Sequence, residues 1–567
     1  MTLSLTRDLD SWYHRTMFGA ERWPLLHDCP KGIAISGALC LIAILCSSPF
    51  AHSQLTVSQL TTAQYDNART GANLKEIILT PQTVNASHFG KLFTLRVDGD
   101  LYAQPLYLPQ LSIPGKGKHN VIFLATEHDS VYAFDADALG DPLWHVNFLN
   151  AAAGVTTIRA QDVRCPFIRP EVGITPTPVI DAQSGTLYVL ARTKESGTRE
   201  SGTYVQKLHA LDVLTGAEKF GGPVVIKASI PRKAMGVFNS TVAFDPLREN
   251  PRAALLLSQG KIYITWASSC DVGPYYGWVM AYDPRSLAQV AVFNAAPDAG
   301  EAGIWQSDAG PAADAEGNVY PVTGNGKFTV SSGGRDYGDT VLKLALTSFG
   351  FKVQDSYTPP NQQQLNDEDL DLGSLGPLLL PDQPGSHAHL LLTGDKAGTV
   401  YVIDRDGMSG FVSGKNSYGV QIFKVKGGCY GAAAYWNQHV FLACSNDSLR
   451  DYKVENGKLS AKPVAQTAKE FANPGATVTV SANGTKNGIV WLVETKVWNA
   501  ADQFAVVHAY DAANVTHELY NSSENLARDG PGLAVRFVIP TVMNGRVYIG
   551  AKGELNVYGL LSNTKKH

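Results

Sequence analysis

Short runs of alternating hydrophobic and polar residues dominate the chain beyond residue 90. Gly, Asn, Asp and Pro separate these runs, and almost no stretch repeats its apolar residues with the 3.6-residue period of a helix. A period of two is typical of strands that bury one face. The pattern therefore predicts an all-β region at residues 90–561, preceded by an extension at 54–89 and followed by a tail at 562–567.

One four-strand unit recurs within this region. It begins with an apolar strand next to Pro or Gly, continues through a Val-Tyr-Val type of strand and a strand ending in Ala-x-Asp, and closes with an aromatic residue. The three clearest copies have their Ala-x-Asp aspartates at Asp135, Asp212 and Asp283. Weaker copies open at Gly310, Gly376, Gly431, Gly475 and Pro540. The repeats therefore number eight, and degenerate copies near 427–470 and 523–560 leave seven as the alternative.

Such a repeat predicts a β-propeller of eight blades, or seven on the alternative count. A pair of β-sandwiches is the competing architecture, but it gives no reason for Ala-x-Asp to return after each third strand. The third unit is expected to open at residues 240–242. The last unit ends at Tyr558, one strand short, so the strand at residues 93–97 is expected to close the ring and cover the open edge.

Two recurring residue types have structural roles in this prediction. The repeated aspartates suit hydrogen bonding within the blade turns, which Asp side chains commonly stabilise. These are Asp135, Asp212, Asp283, Asp404 and Asp511. The tryptophans are expected to pack between blades. They include Trp144, Trp266, Trp278 and Trp305.

The N-terminus carries an apolar run at residues 33–46, after Lys31 and before the small-residue stretch Ala51-His52-Ser53. This order predicts a secretory signal at residues 1–53, cleaved after Ser53. The 14-residue run is shorter than the roughly 20 residues that cross a bilayer as a helix, so an uncleaved membrane anchor is the alternative. Either way, the protein is expected to be exported, to the periplasm or beyond the cell.

Charge and cysteine content exclude several functions. A formal net charge of −4 without a basic stripe argues against nucleic acid as a partner. Four cysteines follow the predicted signal, with no haem-attachment motif and no paired C-x-x-C zinc spacing. Cys429 and Cys444 are the favoured disulfide pair, and free thiols are the alternative. Serine-hydrolase elbows, Walker loops and H-E-x-x-H motifs are absent from the sequence.

Residues 210–220, Ala-Leu-Asp-Val-Leu-Thr-Gly-Ala-Glu-Lys-Phe, closely resemble the A-x-D-x-x-T-G-x-x-x-W docking repeat of the quinoprotein alcohol dehydrogenases. These β-propellers bind pyrroloquinoline quinone. In their repeat the Thr-Gly makes the turn, the Asp caps it and the terminal aromatic wedges between blades. Here Phe220 stands where Trp is usual. The resemblance spans most of residues 90–560 and implies the same propeller fold.

The resemblance also implies a set of site residues. Asn325, Asp339 and Lys396 follow the order of the dehydrogenases' active-site blades, and Asp271 resembles a carboxylate ligand of calcium. By this resemblance Asp271, Asn325 and Asp339 would hold calcium, Asp339 would be the catalytic base, and Lys396 would contact the quinone oxygens. Calcium bound to such oxygens would polarise the reactive carbonyl. All four residues should share one mouth of the propeller, where loops from different blades gather.

The chain departs from that family at both faces of the quinone. The stretch Asp308-Ala309-Gly310-Pro311 lacks the usual tryptophan floor, and Trp305 is displaced from it. The family covers the quinone with a disulfide between adjacent cysteines, whereas Cys165 stands alone in the equivalent region. Each candidate also has an alternative role without a ligand. Asn325, between two glycines, could form a left-handed turn, and Lys396 could be a solvated residue of a hairpin loop. The acidic run at 367–374 could be a solvated loop or could bind a hard cation.

Two functional classes follow. The favoured class is an exported propeller without catalysis, whose central face binds a small molecule, a glycan, a protein or an ion. The alternative is a periplasmic dehydrogenase of alcohols or sugars that uses pyrroloquinoline quinone and calcium. Its electrons would pass to a separate carrier, since the chain has no haem motif.

Overall fold

The computed structural model describes residues 58–196, 202–233, 240–306, 309–411, 419–496 and 504–562. The predicted signal at 1–53 lies outside these ranges. Within them, no helix is long and apolar enough to cross a membrane.

Eight antiparallel sheets, each built on four strands, form the blades of a β-propeller in the part of the chain that is described. The strands of each blade are given in order from the axis outwards. Blade 1 consists of Leu106–Ile113, Gly117–Ala125, Ser130–Asp135 and Trp144–Asn147, and blade 2 of Val179–Asp181, Thr186–Glu195, Thr203–Asp212 and Val224–Val225. Blade 3 consists of Leu256–Ser258, Lys261–Ser268, Trp278–Tyr282 and Gln289–Asn294, and blade 4 of Ala312–Ala313, Val319–Tyr320, Val341–Thr347 and Gly350–Tyr357. Blade 5 consists of Leu372–Leu379, Leu390–Asp395, Thr399–Asp404 and Gly419–Lys424, and blade 6 of Ala434–Trp436, His439–Ala443, Asp447–Glu455 and Ala465–Phe471. Blade 7 consists of Thr479–Asn483, Lys486–Glu494, Val506–Asp511 and Glu518–Asn521, and blade 8 of Thr541–Met543, Arg546–Ala551, Glu554–Leu560 and Phe89–Arg96. The prediction of an eight-bladed, all-β propeller is confirmed.

Helices and other short strands connect or extend the blades. The short α-helices are Ala160–Val163, Gln362–Asp367 and Leu526–Asp529, and the 3-10 turns are Ala63–Tyr65, Ala151–Ala153, Val330–Ser332 and Ser522–Asn525. The additional strands are Ala72–Asn73, Val155–Thr156, Ile158–Arg159, Glu171–Val172, Ser229–Pro231, Thr241–Ala243, Glu249–Asn250 and Lys458–Leu459.

An N-terminal strand closes the ring. Phe89–Arg96 forms the outer strand of blade 8 and pairs antiparallel with Glu554–Leu560, so that Phe89 faces Leu560 and Arg96 faces Glu554. The predicted ring closure is confirmed, and the strand begins four residues earlier than the sequence pattern indicated. This pairing covers the edge that the incomplete last repeat would expose.

The third blade opens later than predicted. Thr241–Ala243 pairs with Ser229–Pro231 in a separate two-stranded sheet, so the expected start at residues 240–242 is wrong. The inner strand is Leu256–Ser258, which pairs with Lys261–Ser268. The physical reason is burial: Thr241 and Ala243 are exposed, whereas the inner strand must be covered by its neighbours.

The repeated aspartates stabilise turns, as predicted. In each case one carboxylate oxygen accepts a hydrogen bond from a backbone N–H two residues further along the chain. The pairs are Asp135 with Asp137, Asp212 with Leu214, Asp283 with Arg285, Asp404 with Asp406 and Asp511 with Ala513. These side chains are engaged in the fold.

The turn of the docking repeat receives an aromatic residue from the preceding blade. Trp144 of blade 1 donates its indole N–H to the carbonyl of Val213 at 3.0 Å, and its ring lies over Gly216. A Cβ atom at Gly216 would come within 2.7 Å of that ring. Phe220 does not wedge between blades, because it is 41% exposed and its ring contacts Lys219. The wedge is therefore Trp144, and the role expected for Phe220 is wrong.

Residues 60–76, here called the axial segment, run around the axis and bond to all eight blades. The contacts join Leu60 to Tyr107, Thr61 to Ile180, Asn67 to Leu257 and Ala313, Ala68 to Leu379, Thr70 to Tyr435, Gly71 to Val480 and Asn73 to Val542. Two of these contacts are hydrogen bonds from a side-chain amide to a carbonyl: Asn67 to Leu257, and Asn73 to Val542. The others are backbone-to-backbone hydrogen bonds. No pattern in the sequence indicated this arrangement.

Arg69 anchors the axial segment. It is fully buried, and its guanidinium donates to Thr62 Oγ1 and the Ala63 carbonyl at 2.8 Å each and to the Pro311 carbonyl at 3.2 Å. Burial lowers the pKa of Arg69 to about 10, although nearby Asp66 opposes the shift. The arginine therefore stays charged at neutral pH and joins the segment to blade 4.

Candidate functional site

A pocket of about 350 Å³ opens at one mouth of the propeller. Its lining comes from loops of several blades: Val163, Cys165, Phe167, Ile168, Val172, Asn250, Arg252, Ser268, Ser269, Cys270, Asp271, Trp305, Asp369, Leu370, Asp371, Ser374, Lys396, Tyr430, Arg536 and Phe537. The axial segment lies towards the opposite mouth, because Ala68 bonds to Leu379 at the far end of the inner strand of blade 5, whereas Asp371 directly precedes that strand. The pocket is thus approached from one side.

Lys396 forms the centre of the polar wall. It lies in the hairpin between the second and third strands of blade 5, and its ammonium is 2.6 Å from Asp371 and 2.8 Å from Asp369. Burial alone would lower the pKa of Lys396, but the carboxylate of Asp371 and the hydrogen bond to Asp369 outweigh it and raise that pKa. Lys396 is therefore a fixed cation, and the expectation of a solvated lysine is wrong.

Asp369 and Asp371 belong to the acidic run at 367–374, for which the sequence left a solvated loop and a hard-cation site open. Asp369 is exposed, as expected, but the side chain of Asp371 is only 1% exposed. Burial raises the pKa of Asp371, and Lys396 opposes that shift. The sequence marked these two residues only as members of an acidic run, because Asp369 lies in a turn with a left-handed φ of +55° and no strand period relates the two side chains.

Asn325 ties this pair together. Its backbone N–H donates to Asp371 Oδ1 at 2.7 Å, and its side-chain Nδ2 donates to Asp369 Oδ1 at 2.7 Å. Its own Oδ1 is buried and has no hydrogen-bond partner among the residues that the structure describes. The structure therefore brings Asn325 to Lys396 through the two aspartates.

Asp339 lies behind the pocket wall. It is fully buried, its Oδ1 accepts a hydrogen bond from the Leu372 N–H, and its Oδ2 accepts one from Gln362 Nε2, both at 3.1 Å. Burial raises the pKa of Asp339 to about 8, with a further contribution from Asp371. It is close to Lys396 by way of Asp371, but it does not line the pocket.

Asp271 lines the pocket on the side of blade 3. Its Oδ1 accepts a hydrogen bond from the Tyr275 hydroxyl at 2.8 Å. Asp271 lies at the rim and is exposed as a whole residue, but desolvation of its carboxylate raises its pKa to about 6. The hydrogen bond from Tyr275 and the charge of Lys396 oppose that rise. At neutral pH Asp271 is therefore mostly ionised.

A disulfide and a tryptophan also line the pocket. Cys165 has no adjacent cysteine in the sequence, but it is bonded to Cys270, 105 residues further along the chain. The predicted pair, Cys429 with Cys444, is confirmed. Trp305 packs edge-on against Tyr275 of a blade 3 loop with ring centroids 6.4 Å apart, and it also lies beside Gly324 of a blade 4 loop, so it packs between the loops of two blades. A disulfide and an indole thus line the same pocket, although the partner of Cys165 was not indicated by the family pattern.

The remaining wall is apolar and aromatic. The Arg536 guanidinium lies 5.1 Å from the ring centroid of Phe167 and 4.4 Å from that of Phe537, and Arg252 lies 5.0 Å from Phe537. Such cation–π contacts hold the cations against the aromatic faces. The pocket therefore has an aromatic wall with two arginines facing a wall of carboxylates and Lys396.

These donors do not fit a resident calcium ion. Within the described ranges, no group of three or more His, Cys, Asp or Glu side chains is placed to hold a metal. Both oxygens of Asp339 already accept hydrogen bonds from the protein, and the ammonium of Lys396 lies between Asp369 and Asp371. Calcium requires six to eight oxygen ligands, so an ammonium at this position opposes its binding.

Comparison with known proteins supports the fold. No protein-family model matches the sequence, and no curated protein resembles it. A quinohemoprotein alcohol dehydrogenase from Pseudomonas putida HK5 is 14% identical, with a TM-score of 0.54 over 90% of this chain and 81% of its own. The enzyme of the same kind from Comamonas testosteroni is 15% identical, with a TM-score of 0.54 over 88% and 80%. A europium-containing methanol dehydrogenase is 13% identical, with a TM-score of 0.55 over 88% and 98%. The resemblance to quinoprotein alcohol dehydrogenases is thus confirmed for the fold.

Proposed function

We propose that this protein is an exported propeller that binds a small organic molecule in the pocket at its open mouth. The observation that carries the proposal is the pocket itself, in which an aromatic wall faces a charged wall. Its volume of about 350 Å³ lies within the range of roughly 300–1,000 Å³ found for small-molecule sites. Side chains from several blades converge on it, while the inter-blade core remains undisturbed.

The polar wall indicates which groups the ligand carries. An ammonium has three N–H donors, and Lys396 uses two of them on Asp369 and Asp371. The third is available to an oxygen of the ligand. Asp271 can accept a hydrogen bond, and the rings of Trp305 and Phe167 offer apolar surface. A flat molecule with carbonyl, carboxylate or hydroxyl oxygens on one edge suits this arrangement.

A quinone-dependent dehydrogenase is the second candidate, because the Cys165–Cys270 disulfide and Trp305 line one pocket. Pyrroloquinoline quinone, when bound, would supply a hydride acceptor. Lys396 would donate a hydrogen bond to a quinone oxygen. Asp271 would accept the proton of a substrate hydroxyl, since its raised pKa of about 6 suits a general base at neutral pH. Asp339 has no access to the pocket for that step.

A titration with pyrroloquinoline quinone, with and without calcium, tests both candidates. We expect saturable quenching of tryptophan fluorescence in the unmodified protein, and at least roughly tenfold weaker binding after Lys396→Met, since a charged hydrogen bond contributes about 1.5–3 kcal/mol. Lys261→Met is the matched control, because Lys261 has similar exposure (30% against 23%) and pairs with Asp283 in blade 3. Unchanged binding after Lys396→Met would contradict the proposed pocket.

Turnover separates the two candidates. Dye reduction with alcohols or sugars after quinone is added would establish the dehydrogenase and remove the binding-only function. If quinone does not bind, glycans and peptides are titrated in the same format, and absence of any ligand that Lys396→Met weakens would refute the pocket as the functional site.

Export is proposed from the apolar run at residues 33–46. Expression with a C-terminal tag, followed by cell fractionation and N-terminal sequencing, is expected to give a periplasmic or secreted protein that begins at Gln54. Recovery in the membrane fraction with an intact N-terminus would indicate the anchored form, and a cytoplasmic protein would refute export.

A further inference from the structure

The environment of Asp371 requires a positive charge. Its carboxylate is 1% exposed, and one oxygen accepts a hydrogen bond from the Asn325 N–H while the other lies 2.6 Å from the Lys396 ammonium. A buried carboxylate without a counter-charge is strongly destabilising. Asp369 adds a second negative charge to the same ammonium at 2.8 Å. The Lys396 ammonium is the cation that lies between these two aspartates.

We propose that Lys396 is a built-in counter-cation, which takes the position between Asp369 and Asp371 that a hard metal ion would otherwise take. The pocket accordingly works without a metal. This inference deepens the proposed function and rests on it only for the choice of site. Removal of the Lys396 ammonium by substitution should therefore turn the pocket into a cation site.

The two carboxylates that contact Lys396, and the Asn325 amide bonded to one of them, support this expectation. Asp369 and Asp371 supply carboxylate oxygens, and the buried Oδ1 of Asn325 has no hydrogen-bond partner in the described part of the chain. Asn325 is already tied to both aspartates by its own N–H groups, so its position does not depend on Lys396. Once the ammonium is removed, the two carboxylates and the neighbouring Asn325 amide, completed by water from the pocket, would suit calcium or a lanthanide ion.

Terbium luminescence sensitised by tryptophan gives a direct measurement, because Trp305 lines the same pocket. Lys396→Met is expected to bind terbium saturably, at least roughly tenfold more tightly than the unmodified protein, and calcium should compete. The Lys261→Met control should behave like the unmodified protein. Asp371→Asn in the Lys396→Met background should abolish the gain.

Thermal unfolding provides a second measurement. Calcium should raise the melting temperature of Lys396→Met but leave that of the unmodified protein unchanged, and a chelator should not affect the latter. If Lys396→Met is not folded without metal, calcium should restore it. Lys396→Gln, whose amide still donates one hydrogen bond to a carboxylate, repeats the test in a milder variant.

Three results would overturn the proposal. The first is saturable terbium or calcium binding by the unmodified protein that Asp371→Asn abolishes. The second is no gain of binding in folded Lys396→Met or Lys396→Gln. The third is failure of both variants to fold even with calcium. None of these measurements uses an organic ligand, so a failure of quinone or glycan binding would count against the proposed function and leave this inference standing.

Discussion

Replacement of Arg69 by methionine should release the axial segment. The substitution keeps a side chain of similar length but removes the donors to Thr62 Oγ1, the Ala63 carbonyl and the Pro311 carbonyl. Each buried oxygen left without its donor costs about 1–3 kcal/mol, and relief of the buried charge offsets part of the sum. We therefore expect a loss of about 2–5 kcal/mol in the free energy of unfolding.

Hydrogen exchange locates the effect. The backbone N–H of Leu379 bonds to the carbonyl of Ala68, and the N–H of Tyr435 bonds to that of Thr70, so both should exchange faster in Arg69→Met. Urea unfolding followed by fluorescence measures the free energy. Arg96→Met is the control, because Arg96 is 79% exposed and its surface pair with Glu554 is worth under about 1 kcal/mol. Equal stability and equal exchange in the two variants would refute the anchoring role.

Three further predictions concern the site and the blades. The pKa of Asp339 is raised to about 8 in the folded state, so the folded state binds this proton more tightly than the unfolded state, and the stabilisation from Asp339 is lost as pH rises towards 8. Asp339→Asn should therefore remove roughly 2–3 kcal/mol of the decline in the free energy of unfolding between pH 6 and 9, measured by urea unfolding. An equal decline in both proteins would contradict the raised pKa. Replacing both Cys165 and Cys270 by serine should lower the free energy of unfolding by about 2–5 kcal/mol, because the disulfide closes a long loop, and it should also weaken ligand binding. Unchanged ligand affinity in this variant would show that the disulfide has no part in the pocket. Gly216→Ala should cost about 1–3 kcal/mol by calorimetry, because the position has φ of +74° and a Cβ would overlap the ring of Trp144; a variant with the parent's melting temperature would disprove the docking contact.

The propeller was predictable because its signals are local. Alternation of apolar residues, turn aspartates such as Asp212 and a repeated strand order each lie within one blade, and together they predict eight blades. The error at residues 240–242 arose because a short surface hairpin has the same alternation as an inner strand. Burial separates the two, and burial depends on neighbouring blades that the local sequence does not show.

The site was harder to predict because its contacts join distant residues. Cys165 and Cys270 are 105 residues apart, and no spacing rule pairs them. The resemblance brought Lys396 and Asn325 into the right region, but it gave no sign that Asp371 lies between them. The sequence marked that residue only as one member of an acidic run, and its burial follows from the packing of the loop before blade 5.

The contacts of the axial segment have a consequence for the order of folding. Asn73 bonds to the carbonyl of Val542, which is 469 residues away, and Phe89 pairs with Leu560. The N-terminal part of the chain therefore has no complete set of partners until the last blade has been synthesised. Contacts of such long sequence separation form slowly, because a large loop must close before they are gained. This protein can therefore complete its ring only after the last blade has been synthesised.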